Sequence, residues 1–214
     1  MSNRYKPTGA EAEFEPGSRD RVLRNLLGIR SVREIAFRES EALLAATNRL
    51  MNETETGQKF TAADIRRMHR VWLGEIYTWA GEYRTVNLRK GKFMFAAATE
   101  IPRLMQEFER NILRKYTPCR SKVPEEQAYA LAIVHAELIL IHPFRDGNGR
   151  CARLLATLMG LQAGLPPLDF SGVRGRERQR YIAAIHAALE RDYAPMTAVF
   201  DRIVARTIRV NARA

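Results

Sequence analysis

The stretch from Ala128 to Arg153 restricts the fold more than any other part of the sequence. Ala128 to Ile141 is an apolar run interrupted by His135 and Glu137. It is shorter than the roughly 20 residues a membrane span requires, so it predicts a buried helix. The chain then reads His142-Pro-Phe-Arg-Asp-Gly-Asn-Gly-Arg-Cys-Ala-Arg153. A buried helix must therefore stop near His142, turn, and restart as a second helix from near Arg150 to Gln162. Gly147 and Gly149 give that turn backbone angles closed to side chains. Gly164 and Pro166-Pro167 close the second helix.

The remaining pattern is also helical. Ser31 suits the N-cap of a helix running to about Leu50, with Ile35, Leu43, Leu44 and Leu50 as apolar positions. Thr61 with Asp64 marks the next start. Ile65, Met68, Trp72 and Ile76 follow at helical spacing, and Gly81 ends the element. Further helices are predicted over 19–28, 99–116, 124–142, 176–190 and 195–208, with Pro124 at a first-turn position. One segment differs. Val86, Leu88, Phe93 and Phe95 flank Lys90-Gly91, which predicts a β-hairpin. The expectation is an all-α domain carrying one hairpin. Residues 1–18 read as a loose arm, 19–208 as the domain and 209–214 as a flexible tail.

The 214 residues fit one domain. With 35 Lys+Arg against 24 Asp+Glu the net charge is +11, which favours phosphate-bearing or acidic partners over neutral ones. A solvated arginine-rich surface explains the same charge equally well. Cys119 and Cys151 provide neither a disulfide framework nor metal-ligand spacing, and a cytoplasmic setting is expected. The polar start, residues 1–17, lacks the apolar core of a signal peptide.

The chemistry concentrates in 142–153. His142, at the end of a buried helix, can serve as a general base. Phe144 plugs the core and anchors the loop. The amides of Gly147-Asn148-Gly149 can converge as a nest for anionic oxygens, at the positive end of the following helix. Arg150 and Arg153, three apart, share a helical face and oppose the helix dipole unless an anion is bound. Asp146 offers Mg²⁺ one hard oxygen, enough when phosphates supply others. These roles suit transfer from a nucleoside triphosphate.

The segment His142-Pro-Phe-Arg-Asp-Gly-Asn-Gly-Arg-Cys-Ala-Arg153 resembles the full signature of the Fic family, His-x-Phe-x-Asp/Glu-Gly-Asn-Gly-Arg-x-x-Arg. Softer resemblances lie in Trp79–Arg84, Tyr181–Ala184, Asp192-Tyr193 and residues 16–29, so the likeness covers about 16–205. It implies a Fic-type helical domain and protein adenylylation: AMP passes from ATP to a Ser, Thr or Tyr hydroxyl, and pyrophosphate leaves. By position, His142 would be the base and Asp146 the Mg²⁺ ligand. Gly147, Asn148 and Gly149 would hold the α- and β-phosphates, with Arg150 and Arg153 on the outer ones. The hairpin would be the family's flap, pairing with an extended target segment by strand addition. Lys92, Phe93, Met94 and Phe95 would lie near the nucleotide. Tyr181 would either wall the adenine side or belong to the core.

Family members are commonly silenced by a helix bearing Ser/Thr-x-x-x-Glu-Gly or -Asn, whose Glu pairs with the second motif arginine, here Arg153. No Glu in this sequence is followed by Gly or Asn; from Thr8 the Glu position is filled by Ala12. The resemblance then implies control by a separate small helical antitoxin. Transfer of phosphate, UMP or phosphocholine from the same site is the nearest alternative, but the intact Gly-Asn-Gly-Arg favours AMP. A nucleic-acid binder is disfavoured by the absence of a recognition motif and by 8% aromatic residues. A Fic-like scaffold without activity is disfavoured by the intact motif.

Overall fold

The computed structural model describes residues 11, 13–91 and 93–212. The remainder of the arm, Lys92, and residues 213–214 of the tail lie outside them. The helices are α1 (Val32–Glu53), α2 (Ala62–Leu73), α3 (Ile101–Phe108), α4 (Arg114–Tyr116), α5 (Pro124–Ile141), α6 (Asn148–Gln162), α7 (Arg176–Ala187) and α8 (Ala194–Asn211). Between α2 and α3 lies the hairpin of β1 (Arg89–Lys90) and β2 (Phe93–Met94). It pairs antiparallel, Arg89 with Met94 and Lys90 with Phe93. The all-α expectation with one hairpin is met. The ladder is short, extended by one bond from Phe95 N–H to the Leu88 carbonyl at 3.1 Å.

α5 is the axis of the fold. It packs against α8, α6, α3 and α7, and is buried nearly all round, His135 included. Its neighbours contribute Met105, Leu155, Met159, Phe200 and Ile203 to the main core. A second cluster, built on Ile35, Trp72, Leu73, Ile76, Tyr77 and Trp79, ties α1 and α2 together. Among the described residues no helix is long and apolar enough to cross a membrane.

Helix starts follow the predicted caps. The Ser31 side chain accepts from Glu34 N–H, and Thr61 with Asp64 forms a reciprocal capping box. Several boundaries differ. No helix forms over 19–28. Arg19 and Asp20 have φ of 57° and 56°, and the Asn25 amide bonds the Leu23 and Ile29 carbonyls and the Ile29 N–H. Such local side-chain bonding competes with the helical ladder. α1 continues past the expected end near Leu50 to Glu53. α2 stops at Leu73, well before Gly81; beyond it Ile76 and Tyr77 N–H share the Leu73 carbonyl. The chain then coils into turns that stack Tyr77 on Trp79, 4.4 Å apart. The predicted 99–116 helix is interrupted by a π-helical turn, Glu109–Leu113. α6 begins at Asn148 rather than near Arg150. The 176–190 helix is α-helical to Ala187 and 3₁₀ over Ala188–Glu190.

Both proposed termini of the domain shift as well. α8 runs to Asn211, so the start of the expected tail is helical. The described part of the arm is pinned. Phe14 bridges Leu23, and Ser18 is buried. Glu11 is also buried; one of its carboxylate oxygens accepts from the Thr85 amide at 2.7 Å and from the Thr85 hydroxyl. Its carbonyl accepts from Arg145 Nε at 2.7 Å.

Candidate active site

α5 ends on His142, whose φ of 53° and ψ of 59° lie in the left-handed region. A side chain there costs about 1–2 kcal/mol, so other contacts must hold it. The His142 N–H donates to the Leu138 carbonyl at 3.1 Å. Arg84, 1% exposed, donates from Nε to the His142 carbonyl at 2.7 Å, and from its Nη atoms to the Val86 and Ala96 carbonyls at 2.7 Å each. One buried guanidinium thus rivets the two roots of the hairpin to the end of α5. The Arg84 amide adds a bond to the Pro143 carbonyl at 2.8 Å.

This geometry decides the imidazole's chemistry. His142 Nδ1 lies 3.0 Å from the Ile139 carbonyl. A carbonyl only accepts, so the proton sits on Nδ1 and Nε2 keeps its lone pair. Burial lowers the pKa from 6.5 to about 4; the Ile139 bond opposes this, and the Arg84 charge reinforces it. Phe95 stacks on the ring at 3.7 Å. His142 is therefore a neutral, oriented acceptor at neutral pH.

The loop that follows is held from beneath. Phe144 is fully buried and stacks on His69 at 3.9 Å, as an anchoring plug requires. His69 Nδ1 accepts from the Gly81 amide at 2.8 Å, so its Nε2–H donates to the Asp146 carbonyl at 3.0 Å. Burial lowers the His69 pKa to about 4 as well. Asn148 departs from expectation. Its side chain is 3% exposed and committed at both ends, to Phe144 N–H and Phe144 C=O, 2.8 Å each. It shapes the loop, leaving its backbone amide for any anion. The N-cap Gly147 has φ 80° and ψ −3°. The first intrahelical acceptor is its carbonyl, taken by Cys151 N–H. The Asn148, Gly149 and Arg150 amides therefore form an open first turn.

These groups line one cavity of about 680 Å³, within the range of nucleotide-sized sites. Its polar lining comes from His142, Asp146, the Gly147–Arg150 turn and Arg153. Ile139, Phe170, Val173, Tyr181 and Ile185 supply an apolar recess to the same cavity. Phe93 and Phe95 reach in from the hairpin, while Met94 is 62% exposed and outside the lining. Strand alternation turns Met94 to the opposite face, which corrects its place among the site residues. Lys92 lies outside the described residues. Tyr181 lines the cavity, and its hydroxyl lies 2.8 Å from buried His135 Nε2.

The two motif arginines have different surroundings. Arg153 is exposed, and Nε donates to the Gly149 carbonyl at 3.3 Å; among the described residues it pairs with no carboxylate. Arg150 lies 4.5 Å over the Trp72 ring and is bonded to Glu39. Asp146 keeps an exposed carboxylate, with Oδ1 accepting from Gly147 N–H at 2.6 Å and Oδ2 3.7 Å from Arg150 Nη2. An exposed hard oxygen beside an open amide turn fits a cation brought in with phosphates. Sequence reasoning did not find Glu39, His69 or Arg84 as parts of this site. Arg84 alone was within reach, as the end of the Trp79–Arg84 segment.

Comparison with known proteins places this geometry. The Fic/DOC family description matches residues 59–159. The chain is 30% identical over 142 residues to a probable protein adenylyltransferase of Sinorhizobium fredii, covering 66% of this chain and 72% of that one. The chain belongs to the Fic/DOC family. It is also 32% identical over 171 residues to a protein adenylyltransferase Fic of Nematostella vectensis. That match takes in 78% of this chain but only 37% of the longer relative. Among solved structures, the BepC protein of Bartonella tribocorum, a VirB-translocated effector with bound AMPPNP, superposes with a TM-score of 0.72 at 23% identity. The superposition covers 90% of this chain and 96% of that one, and establishes the shared fold.

Proposed function

We propose that this Fic domain is a protein adenylyltransferase. A target Ser, Thr or Tyr hydroxyl attacks the α-phosphorus of ATP. The hydroxyl proton passes to Nε2 of His142, the bond to the β-phosphate breaks, and pyrophosphate leaves. The observation that carries this reading is the orientation of His142: neutral, with Nδ1 protonated and the Nε2 lone pair unspent, in the cavity that also holds the open amide turn. The relatives' names and the AMPPNP in BepC point the same way.

In this reading the Asn148, Gly149 and Arg150 amides cradle the α- and β-phosphates, with Gly147 N–H held by Asp146 Oδ1, and Arg150 and Arg153 meet the outer ones. The adenine enters the recess of Ile139, Val173 and Tyr181. Asp146 would hold Mg²⁺, which neutralises phosphate charge when bound. The exposed hairpin takes the target as an added strand, through backbone bonds. Arg153, open to solvent, is the point at which a carboxylate from a separate small helical antitoxin would displace the γ-phosphate. The free buried thiols Cys119 and Cys151 suit a reducing cytoplasm.

The test is transfer from ATP to candidate target proteins, read by mass spectrometry as an added AMP. His142→Ala should lose transfer by a factor of about 10² to 10⁴ with ATP affinity nearly unchanged. Arg153→Ala should weaken ATP binding. Full transfer by His142→Ala would refute the mechanism, and an added phosphate or UMP would refute the transferred group.

A further inference from the structure

Arg150 is held by a residue far from the motif. Glu39, in the middle of α1, is 7% exposed. Its Oε2 lies 2.6 Å from Arg150 Nη1, and its Oε1 accepts from the Tyr77 hydroxyl at 2.7 Å. Its carbonyl accepts from Trp72 Nε1 at 2.8 Å, and Trp72 is the ring on which the Arg150 guanidinium lies. Each of the two charged groups is thus fixed on more than one side.

Such a pair is a poor source of stability, because the cost of removing both charges from water offsets their attraction. It is a good source of geometry. A free arginine has many rotamers, and ordering it at each binding event costs affinity. Glu39 and Trp72 hold Arg150 in one place, and the guanidinium has five N–H donors, of which Glu39 occupies the Nη1 end. Arg150 still borders the cavity. Glu39 also competes with Asp146, whose Oδ2 is 3.7 Å from Arg150 Nη2. Without Glu39 the guanidinium would fall onto the carboxylate proposed to hold the cation.

We propose that Glu39 is a positioning residue of the phosphate site, acting through Arg150. Tyr77 supports it by fixing the second carboxylate oxygen. Burial and the Glu39 charge both raise the Tyr77 pKa, so its hydroxyl stays protonated as a donor. The inference rests on the nucleotide-site reading above and adds to it a residue on a different helix.

The experiment measures, by calorimetry on the full chain, affinity for a non-hydrolysable ATP analogue and for AMP. Glu39→Gln should weaken the ATP analogue on the order of tenfold and leave AMP unchanged, because AMP lacks the phosphates Arg150 would meet. Tyr77→Phe, a gentler change, should shift the ATP analogue in the same direction by less. In an Arg150→Ala background, Glu39→Gln should cause no further loss. The inference is overturned if Glu39→Gln and Tyr77→Phe match wild type. Equal losses for both nucleotides, or independent effects of Glu39→Gln and Arg150→Ala, would overturn it too. A wild-type chain that binds neither nucleotide overturns the nucleotide-site reading and this inference together, whereas normal wild-type binding with an insensitive Glu39 overturns the inference alone.

Discussion

Gly147→Ala tests whether the motif loop is as tightly built as the structure indicates. Gly147 sits at φ 80°, where an L side chain costs about 1–2 kcal/mol. A Cβ there would also lie 2.6 Å from Trp72 Cζ3, 3.0 Å from Trp72 Cη2 and 3.3 Å from His69 Nε2. Neither ring can yield easily. Trp72 is 1% exposed and bonded to the Glu39 carbonyl, and His69 is fully buried between two hydrogen bonds. Overpacking of this kind costs about 1–3 kcal/mol, so the total is roughly 2–5 kcal/mol. For a domain of this size that lowers Tm by roughly 4–20 °C, and the domain should remain folded at 25 °C. Relief of the clash moves either the loop or Trp72 beneath Arg150, so ATP affinity should fall at least tenfold. Gly28→Ala is the control: φ is 64°, but a Cβ meets nothing within 4 Å. It should show the backbone cost alone, a drop of about 2–8 °C, with ATP affinity intact. Calorimetric melts and titration with ATP decide the matter. If Gly147→Ala melts within 2 °C of Gly28→Ala (about the resolution set by 1 kcal/mol) and binds ATP normally, the account of the loop is wrong.

Two predictions concern protons. His142 acts in its neutral form, and its pKa is lowered from 6.5 to about 4. Transfer should therefore stay level as pH falls through 6.5 and decline only near 4; a rate profile with its acid limb at 6.5 would contradict the assigned burial and tautomer. His135 is buried with its pKa lowered to about 4, chiefly by desolvation. Above pH 6.5 both states hold it neutral. Below 6.5 the unfolded chain takes up a proton that the folded chain refuses until about 4, so stability declines across that window by up to about 3 kcal/mol. Urea unfolding of wild type and His135→Gln at pH 7 and 4.5 should show the smaller acid loss in the variant, and identical losses would remove His135 as the cause.

The legibility of the site follows the range of the forces involved. Local rules found the caps at Ser31 and Thr61, the Pro124 start, the presence of the hairpin (its tip one residue later than Lys90-Gly91, since Lys90 pairs with Phe93) and the order of parts from His142 to Arg153, because each depends on residues a few positions apart. The same rules misjudged 19–28, where the Asn25 amide bonds its neighbours in place of a helix. They also extended α2 to Gly81, because Ile76 keeps helical spacing even after the helix has turned. Strand alternation, applied to Phe93–Phe95, would have turned Met94 away from the cavity.

From its sequence alone this chain determines that a buried helix ends on a histidine, that an open amide turn follows, and that two arginines come next. Only the tertiary structure decides what each group can do. Glu39 reaches Arg150 across 111 residues, His69 reaches Asp146 across 77, and Arg84 reaches His142 across 58. No spacing rule connects positions so far apart. The proton on His142, the commitment of Asn148 to the loop and the separate surroundings of Arg150 and Arg153 all result from contacts that exist only once α1, α2 and the hairpin have packed around α5 and α6. Hydrogen bonding and burial are short-ranged in space, and the packed chain alone brings these distant residues within that range.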